Sequence, residues 1–140
     1  MNERKKKKKK GITSKAKKKE AVARAVVRKG KGIIRVNKAE LSTINSPYVR
    51  ELIMEPVDIA GPISQEVNID VHVHGGGFMG QAISARAAVA KGLLEYRNDE
   101  KLKKKFLAYD RMLLVDDARR VEPKKQLGPK ARRKKQKSKR

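Results

Sequence analysis

The chain has 140 residues and a formal net charge of +23, with 38 Lys and Arg against 15 Asp and Glu. It contains no cysteine, which excludes disulfides, thiolate zinc sites and cysteine nucleophiles and fits a reducing, cytoplasmic compartment. No apolar run approaches the ~18 to 20 residues of a membrane span, and no apolar signal core follows the basic N-terminus, so we expect neither membrane binding nor export. The length supports one small domain.

The positive charge is concentrated at the two ends of the chain. Residues 1–19 carry eleven basic side chains against one acid, and residues 119–140 carry twelve against one. The segment between them is nearly neutral, with fifteen basic and thirteen acidic side chains. The like charges within each end repel one another in isolation, and a polyanion would neutralise them. The chain is therefore predicted to bind nucleic acid. The expected units are a basic arm that is disordered when free (1–18), a globular domain (19–118) and an extended basic tail (119–140).

The first half of the body alternates strand and helix signals. Val-rich Ala21–Val27 and then Ile33–Val36, separated by a glycine turn, predict an antiparallel hairpin. Ser46 and Pro47 are typical of a helix start and predict a short helix over Tyr48–Met54, which Pro56 should end.

The second half begins with the clearest periodicity in the chain. From Val67 to His74 apolar and polar residues alternate, which predicts a strand with one packed face. A long Ala-rich helix is expected over 81–97, where abundant Ala permits close approach to a sheet. A lysine-rich helix over 99–108 and a short strand over 112–115 should follow. The five aromatic residues all lie in the body, and their spacing favours core positions over base-stacking platforms. They are Tyr48, Phe78, Tyr96, Phe106 and Tyr109.

The glycine segment after that strand has two interpretations. Gly75, Gly77 and Gly80 satisfy the G-x-G-x-x-G pattern between a strand and a helix, the local context of a dinucleotide loop. The full fingerprint needs a second strand ending in an acid, whereas Asp99 follows no strand signal. A turn that seats the helix on the sheet, or that lets RNA backbone come close, is therefore favoured.

Catalytic and metal-binding alternatives find little support. Asp70, His72 and His74 share one strand face at a spacing that could present metal ligands, but the chain has no further His and no Cys to complete a site. None of the serines has the context of a nucleophile. We therefore expect no metal, no cofactor and no catalysis.

Separated segments form a pattern that extends over about residues 12–140. They are Lys17–Arg24, Ile34–Asn37, Gly75–Ala82, Ala85–Arg86, Ala88–Ala90, Asp117–Lys125, Gly128–Pro129 and Gln136–Arg140. In this order they resemble the universal S-nine family of small-subunit ribosomal proteins, in its archaeal and eukaryotic-like form. The chain departs from the family at Glu20, where Thr is common, and at Lys139, where the eukaryotic branch often has an aromatic residue. The run Lys5–Lys10 lies outside the shared pattern and inherits no role.

The resemblance implies a fold and a function. The fold is an α/β (α+β) two-layer sandwich, with a mixed sheet, helices on one face and a left-handed β-α-β crossover that departs from the usual right-handed rule. The function is that of a structural constituent of the small-subunit head in the cytoplasmic ribosome. The implied partners are small-subunit ribosomal RNA, peptidyl-site transfer RNA and neighbouring proteins of the head, with no homo-oligomer.

The resemblance also assigns individual contacts. Ser138, Lys139 and Arg140 are expected at the anticodon stem-loop of the transfer RNA. The expected ribosomal RNA contacts are Lys17, Lys18, Lys19, Arg24, Gly75, Gly76, Gly77, Gln81, Arg86, Arg119, Arg120, Lys124, Lys125, Arg132, Arg133, Lys134 and Lys135. The alternative is a free nucleic-acid chaperone or chromatin-like protein, which would share the basic ends but act on DNA or bulk RNA.

Overall fold

The computed structural model describes residues 11–134 and residue 137. This part of the chain contains eleven helices, strands and 3-10 turns. The strands are β1 (Ile12–Lys18), β2 (Ala21–Lys29), β3 (Ile34–Val36), β4 (Ala39–Glu40) and β5 (Val67–His74). The α-helices are α1 (Pro47–Ala60), α2 (Pro62–Gln65), α3 (Phe78–Arg97) and α4 (Glu100–Tyr109), with single 3-10 turns at Leu41–Thr43 and Arg111–Leu113. The Lys5–Lys10 run lies outside the described residues.

The five strands form one mixed sheet in the order β1-β2-β5-β3-β4. β2 pairs antiparallel with both β1 and β5, whereas β3 runs parallel to β5. The helices pack on one face of this sheet, so the predicted fold class is confirmed. The β3-α1-β5 connection joins the two parallel strands and is the crossover to which the resemblance assigns a left hand.

The predicted hairpin between β2 and β3 is wrong, because β5 lies between these two strands. The side chain of Asn68 on β5 explains the path of the intervening glycine segment. Its Oδ1 accepts hydrogen bonds from the backbone N–H of Lys31 (2.8 Å) and of Ile33 (3.2 Å). The segment is therefore held across the end of β5 and delivers β3 to the far side of that strand.

The sheet begins inside the segment that the charge pattern assigned to the N-terminal arm. β1 pairs along its whole length with β2, from Ile12 opposite Val27 to Lys18 opposite Ala21. Ser14 and Ala16 are buried on its inner face. The second half of that segment is thus an edge strand of the body.

Close packing between α3 and the sheet confirms the expectation from its Ala content. α3 lies on β1, β2 and β5, and most of its middle is buried. The Ser14 hydroxyl donates to the Ala88 carbonyl oxygen at 2.7 Å. A Cβ on Gly92 would lie 2.7 Å from Val27 Cγ2, so only glycine allows this spacing.

Two local expectations on the helical side are wrong. Pro56 does not end α1 but lies inside it, fully buried. Burial of its ring offsets the hydrogen bond to the Leu52 carbonyl that proline cannot make. The strand expected over 112–115 is instead the 3-10 turn Arg111–Leu113, because the Asp110 carboxylate accepts from the Met112 N–H (2.8 Å) and Leu113 is buried.

The other periodic signals are confirmed. On β5 the four apolar residues Val67, Ile69, Val71 and Val73 are at most 5% exposed, and the polar residues between them face outward. α4 begins at an N-cap, Asp99, whose carboxylate accepts from the Lys101 N–H at 2.9 Å.

Candidate nucleic-acid interface

Three basic or glycine-rich segments converge at one end of the sheet. They are the β1-β2 turn with its flanks (17–20), the glycine turn after β5 (75–77) and the start of the C-terminal tail (116–119). We call this region the loop end. It brings together predicted contacts that are far apart in sequence.

The glycine turn lies directly against the β1-β2 turn. Gly75 and Gly76 have φ values of 76° and 63°, in the left-handed region that favours glycine. A Cβ on Gly75 would lie 2.5 Å from the Glu20 carbonyl oxygen. Gly77, by contrast, has open space around it and forms the N-cap of α3. The first two glycines therefore seat the turn on the sheet, and the third leaves room for a ligand backbone.

A cluster of ion pairs, which we call the tail latch, fixes the root of the tail to β1. Lys18 Nζ pairs with Asp117, whose side chain is only 4% exposed. Asp116 Oδ1 accepts from Lys91 Nζ at 2.6 Å and from the Lys17 backbone N–H at 3.3 Å. These contacts also cover the free edge of β1, where the Lys91 ammonium reaches the Lys15 carbonyl oxygen at 3.2 Å. The tail therefore leaves the body at the loop end.

Cationic hydrogen-bond donors around Asp117 strongly favour its ionised form. Hydrogen bonds from the Arg119 side chain, then from Lys18 and from the Arg119 backbone, hold the pKa of Asp117 well below its ordinary value of 3.8. Asp117 in turn raises the pKa of Arg119. Because the folded pKa is the lower one, the contribution of this carboxylate to stability is complete above the unfolded value and is lost as the pH falls through the folded value. The latch is therefore intact at neutral pH.

This electrostatic arrangement predicts a specific titration. The carbon resonance of the Asp117 carboxyl group should stay constant from pH 7 down to about 4, where an ordinary Asp titrates. In Arg119→Gln the titration midpoint should rise towards the ordinary value, because the first cause of the depression is removed. Arg120→Gln, which neutralises the exposed neighbour, is the control and should leave the midpoint in place. An unchanged midpoint in Arg119→Gln would contradict the assigned geometry.

The outer face of the sheet carries a cross-strand row of two cationic side chains and a histidine next to the loop end. In the strand register Lys15 lies directly opposite Arg24, and Arg24 directly opposite His72. All three are exposed. Direct cross-strand neighbours have Cβ atoms about 4.5–5.5 Å apart, and like charges at this spacing destabilise the pair. An anion lying along the row would relieve that repulsion.

A shallow concavity of about 520 Å³ lies beside this row. Arg24, Arg35 and Lys38 line it together with Asp70, whose carboxylate is 3.6 Å from Arg28 Nη1. Lys15, Arg35, Lys38 and His72 were not among the predicted contacts. The signal that could have found Lys15, Arg35 and His72 is the period-2 alternation, which places them on the outer face once the strands are paired in the correct order, whereas Lys38 lies in the turn between β3 and β4.

Two predicted contacts have their polar groups engaged within the protein. Arg86 is 11% exposed; its Nη1 donates to Asp110 Oδ2 at 2.9 Å. Its Nε lies 2.6 Å from Glu55 Oε2, but neither atom has a hydrogen-bond partner, so this contact is an ion pair without hydrogen-bond geometry. Gln81 Nε2 donates to the Gly75 carbonyl oxygen at 3.1 Å and so supports the glycine turn. Arg86 therefore ties α3 to the other helices and is a weak candidate for RNA contact.

The remaining predicted contacts fall into four groups. Lys18 and Arg119 belong to the tail latch, although the Arg119 side chain is still 74% exposed. Arg132 Nε lies 2.9 Å from Glu122 Oε2 where the tail bends. Residues 126–132 form turns and bends within the segment predicted as an extended basic tail. Exposed predicted cations are Lys19, Arg24, Arg120, Lys124, Lys125, Arg133 and Lys134, whereas Lys135, Ser138, Lys139 and Arg140 lie outside the described residues.

The structure disfavours the two other ligand interpretations. β5 is followed by α3 and α4 rather than by a second strand within the described residues, and Asp99 is occupied as the N-cap of α4. The acid of a dinucleotide site is thus missing from this position. Within residues 11–134 no three His, Asp or Glu side chains converge as metal ligands; the rings of His72 and His74 have centroids 6.0 Å apart. None of the helices in this part of the chain is long and apolar enough to span a bilayer.

Fold and surface together define a small α/β protein whose outer sheet face and tail carry exposed cations. Residues 16–140 match the family described as Ribosomal protein S9/S16. A curated relative, the small ribosomal subunit protein uS9 of Picrophilus torridus, is 47% identical over 122 residues, which cover 87% of this chain and 92% of the relative. The chain therefore belongs to the ribosomal protein S9/S16 family. It has a structural, non-enzymatic role in the small ribosomal subunit, in the cytoplasm, and the family predicted from the sequence is confirmed.

Proposed function

We propose that the body binds small-subunit ribosomal RNA through the loop end and the outer face of the sheet. We further propose that the C-terminal tail reaches the peptidyl site, where Ser138, Lys139 and Arg140 contact backbone phosphates of the transfer RNA anticodon stem-loop. Neighbouring proteins of the subunit head complete the set of partners.

The observation that carries the first part is the cross-strand pair of Lys15 and Arg24, with His72 on the other side of Arg24. A free protein gains nothing from like charges placed opposite one another, whereas a phosphate backbone lying along the row would turn a repulsive arrangement into a binding surface. The exposed lysines of α4 lie on the opposite, helical side of the molecule and serve as an internal comparison.

The tail latch supports the second part. It holds the start of the tail at the loop end, so an RNA-bound body would give the tail a fixed origin from which to extend. From Arg119 to Arg140, 22 residues at ~3.3 Å each could span roughly 70 Å if fully stretched. A polycationic segment of this reach can follow an RNA groove to a second site.

The test of the tail is a truncation that removes Ser138–Arg140. Subunits with the truncated protein should assemble normally but hold peptidyl-site transfer RNA about tenfold or more weakly, because two charge-assisted contacts to phosphate are lost. Filter binding of transfer RNA to purified subunits measures this affinity. Lys9→Gln with Lys10→Gln removes the same charge from the other end and should leave it unchanged.

Two outcomes of this test count against the proposal. Equal transfer RNA affinity in truncated and complete subunits would refute the role of the tail. Failure of the complete protein to sediment with the small subunit, combined with binding to bulk RNA or DNA, would favour the chaperone or chromatin-like alternative.

A further inference from the structure

A pocket of about 290 Å³ lies next to the glycine turn, between the first turns of α1 and α3. Its interior is apolar and its rim is polar, a combination typical of small-ligand sites. The walls are Val36, Ile44, Val49, Ile53, Val73, Ala82 and Ala85, and the rim is formed by Asn45, Ser46, Phe78 and Gln81.

The rim carries the most exposed aromatic ring in the described chain. Phe78 is 72% exposed, and Tyr48, in the first turn of α1, is 59% exposed. The sequence expectation that the aromatic residues are core residues is therefore wrong for these two and for Tyr109, although Phe106 is fully buried. An exposed Phe ring beside an apolar pocket presents a flat face to a planar ligand.

Two helix N-termini meet at the same pocket, and neither is neutralised. α1 has 14 residues and α3 has 20, and both begin on the rim. The N-cap residues Ser46 and Gly77 make no side-chain capping hydrogen bond, and the first turn of each helix contains no acid. The free N–H groups of both first turns, which in α1 begin after Pro47, and the positive ends of both helix dipoles therefore give the rim a positive potential that complements an anion.

We propose that this pocket receives one extruded nucleotide of RNA, with its base against Phe78 and its phosphate at the two helix ends. The apolar walls suit the face of a base, whereas the uncapped N–H groups suit its phosphate. The side chain of Asn45 and the free carbonyl oxygen of Gln81, whose Nε2 is bound to Gly75, can read the edge of the base. An apolar side chain from a partner protein would fill the apolar interior of the pocket but would leave the positive rim without a counter-charge. The inference rests on the proposed binding of RNA by the body.

The test compares two trinucleotides that carry the same charge. One has an adenine base at its centre and the other an abasic sugar, and calorimetry at fixed salt gives the affinity of the full-length protein for each. The wild-type protein should bind the complete trinucleotide about 5- to 150-fold more tightly, the range that stacking of one base provides. Phe78→Leu should bring this ratio close to one.

The matched control is Tyr109→Leu, which removes another exposed aromatic ring that does not line the pocket. It should keep the wild-type ratio. Because Phe78 is mostly exposed, Phe78→Leu should also keep the wild-type unfolding midpoint, which separates loss of a ligand contact from loss of fold.

Each alternative result overturns the inference in a recognisable way. Equal affinity of the wild-type protein for both trinucleotides means that no base enters the pocket, and a neighbouring protein then becomes the occupant to consider. A ratio that survives Phe78→Leu places base recognition elsewhere. Absence of binding to either probe would instead overturn the proposed RNA-binding function itself.

Discussion

The full-length protein is expected to lose roughly 10³- to 10⁵-fold in affinity for an RNA duplex between 50 and 200 mM salt. This range corresponds to the neutralisation of 6 to 10 phosphates, and it is somewhat smaller for single strands. The cause is the release of condensed counterions by the basic ends and the outer sheet face. Fluorescence anisotropy of a labelled RNA at a series of salt concentrations gives the slope directly.

The same titration identifies the face that binds. Lys15→Gln with Arg24→Gln should reduce the steepness of the log–log plot by about two, since each lost phosphate contact accounts for roughly 0.9. Lys103→Gln with Lys104→Gln removes the same charge from the exposed side of α4 and should leave the slope unchanged. A flat titration of the wild-type protein would contradict the polyanion model, and equal effects of the two double variants would contradict the assignment to the sheet face.

Local signals in the sequence predicted the elements but not the pairing of the strands. The alternation on β5 and the Ala-rich stretch of α3 depend on neighbouring residues, and both were predicted from the chain itself. The place of β5 between β2 and β3 depends on a contact between distant residues, namely the Asn68 side chain with the backbone of Lys31 and Ile33. The sequence pattern of a hairpin depends only on neighbouring residues and does not include such a contact. It therefore paired β2 with β3 instead of with β5.

The same distinction applies to the candidate interface. Composition predicted that the chain carries cations for phosphate, but not which of them are already paired with acids of the protein. Lys18 meets Asp117 across 99 positions, and Arg86 lies between Glu55 on α1 and Asp110, the residue that follows α4. Conversely, the alignment of Lys15 with Arg24 follows only from the strand register. Folding thus divides the basic residues of the described part of the chain into those paired with acids of the protein and those that remain exposed.

In the glycine turn, Gly75 seats the turn against the β1-β2 turn, whereas Gly77 leaves room for a ligand backbone. One substitution at each position should distinguish these two roles. Gly75→Ala is expected to lower the free energy of unfolding by about 2–5 kcal/mol. The left-handed conformation costs a non-glycine residue about 1–2 kcal/mol, and relief of a 2.5 Å approach to the Glu20 carbonyl oxygen costs about 1–3 kcal/mol more. Urea unfolding followed by circular dichroism measures the change.

Gly77→Ala is the matched control, because Gly77 has an ordinary φ of −104° and no atom would contact its Cβ within 4 Å. Its only stability cost is the poorer N-cap, less than about 1 kcal/mol. RNA affinity should fall in this variant if the third glycine is the one that admits ligand backbone, even though the fold is retained. Equal destabilisation by the two substitutions would show that the turn is not seated against the β1-β2 turn as described.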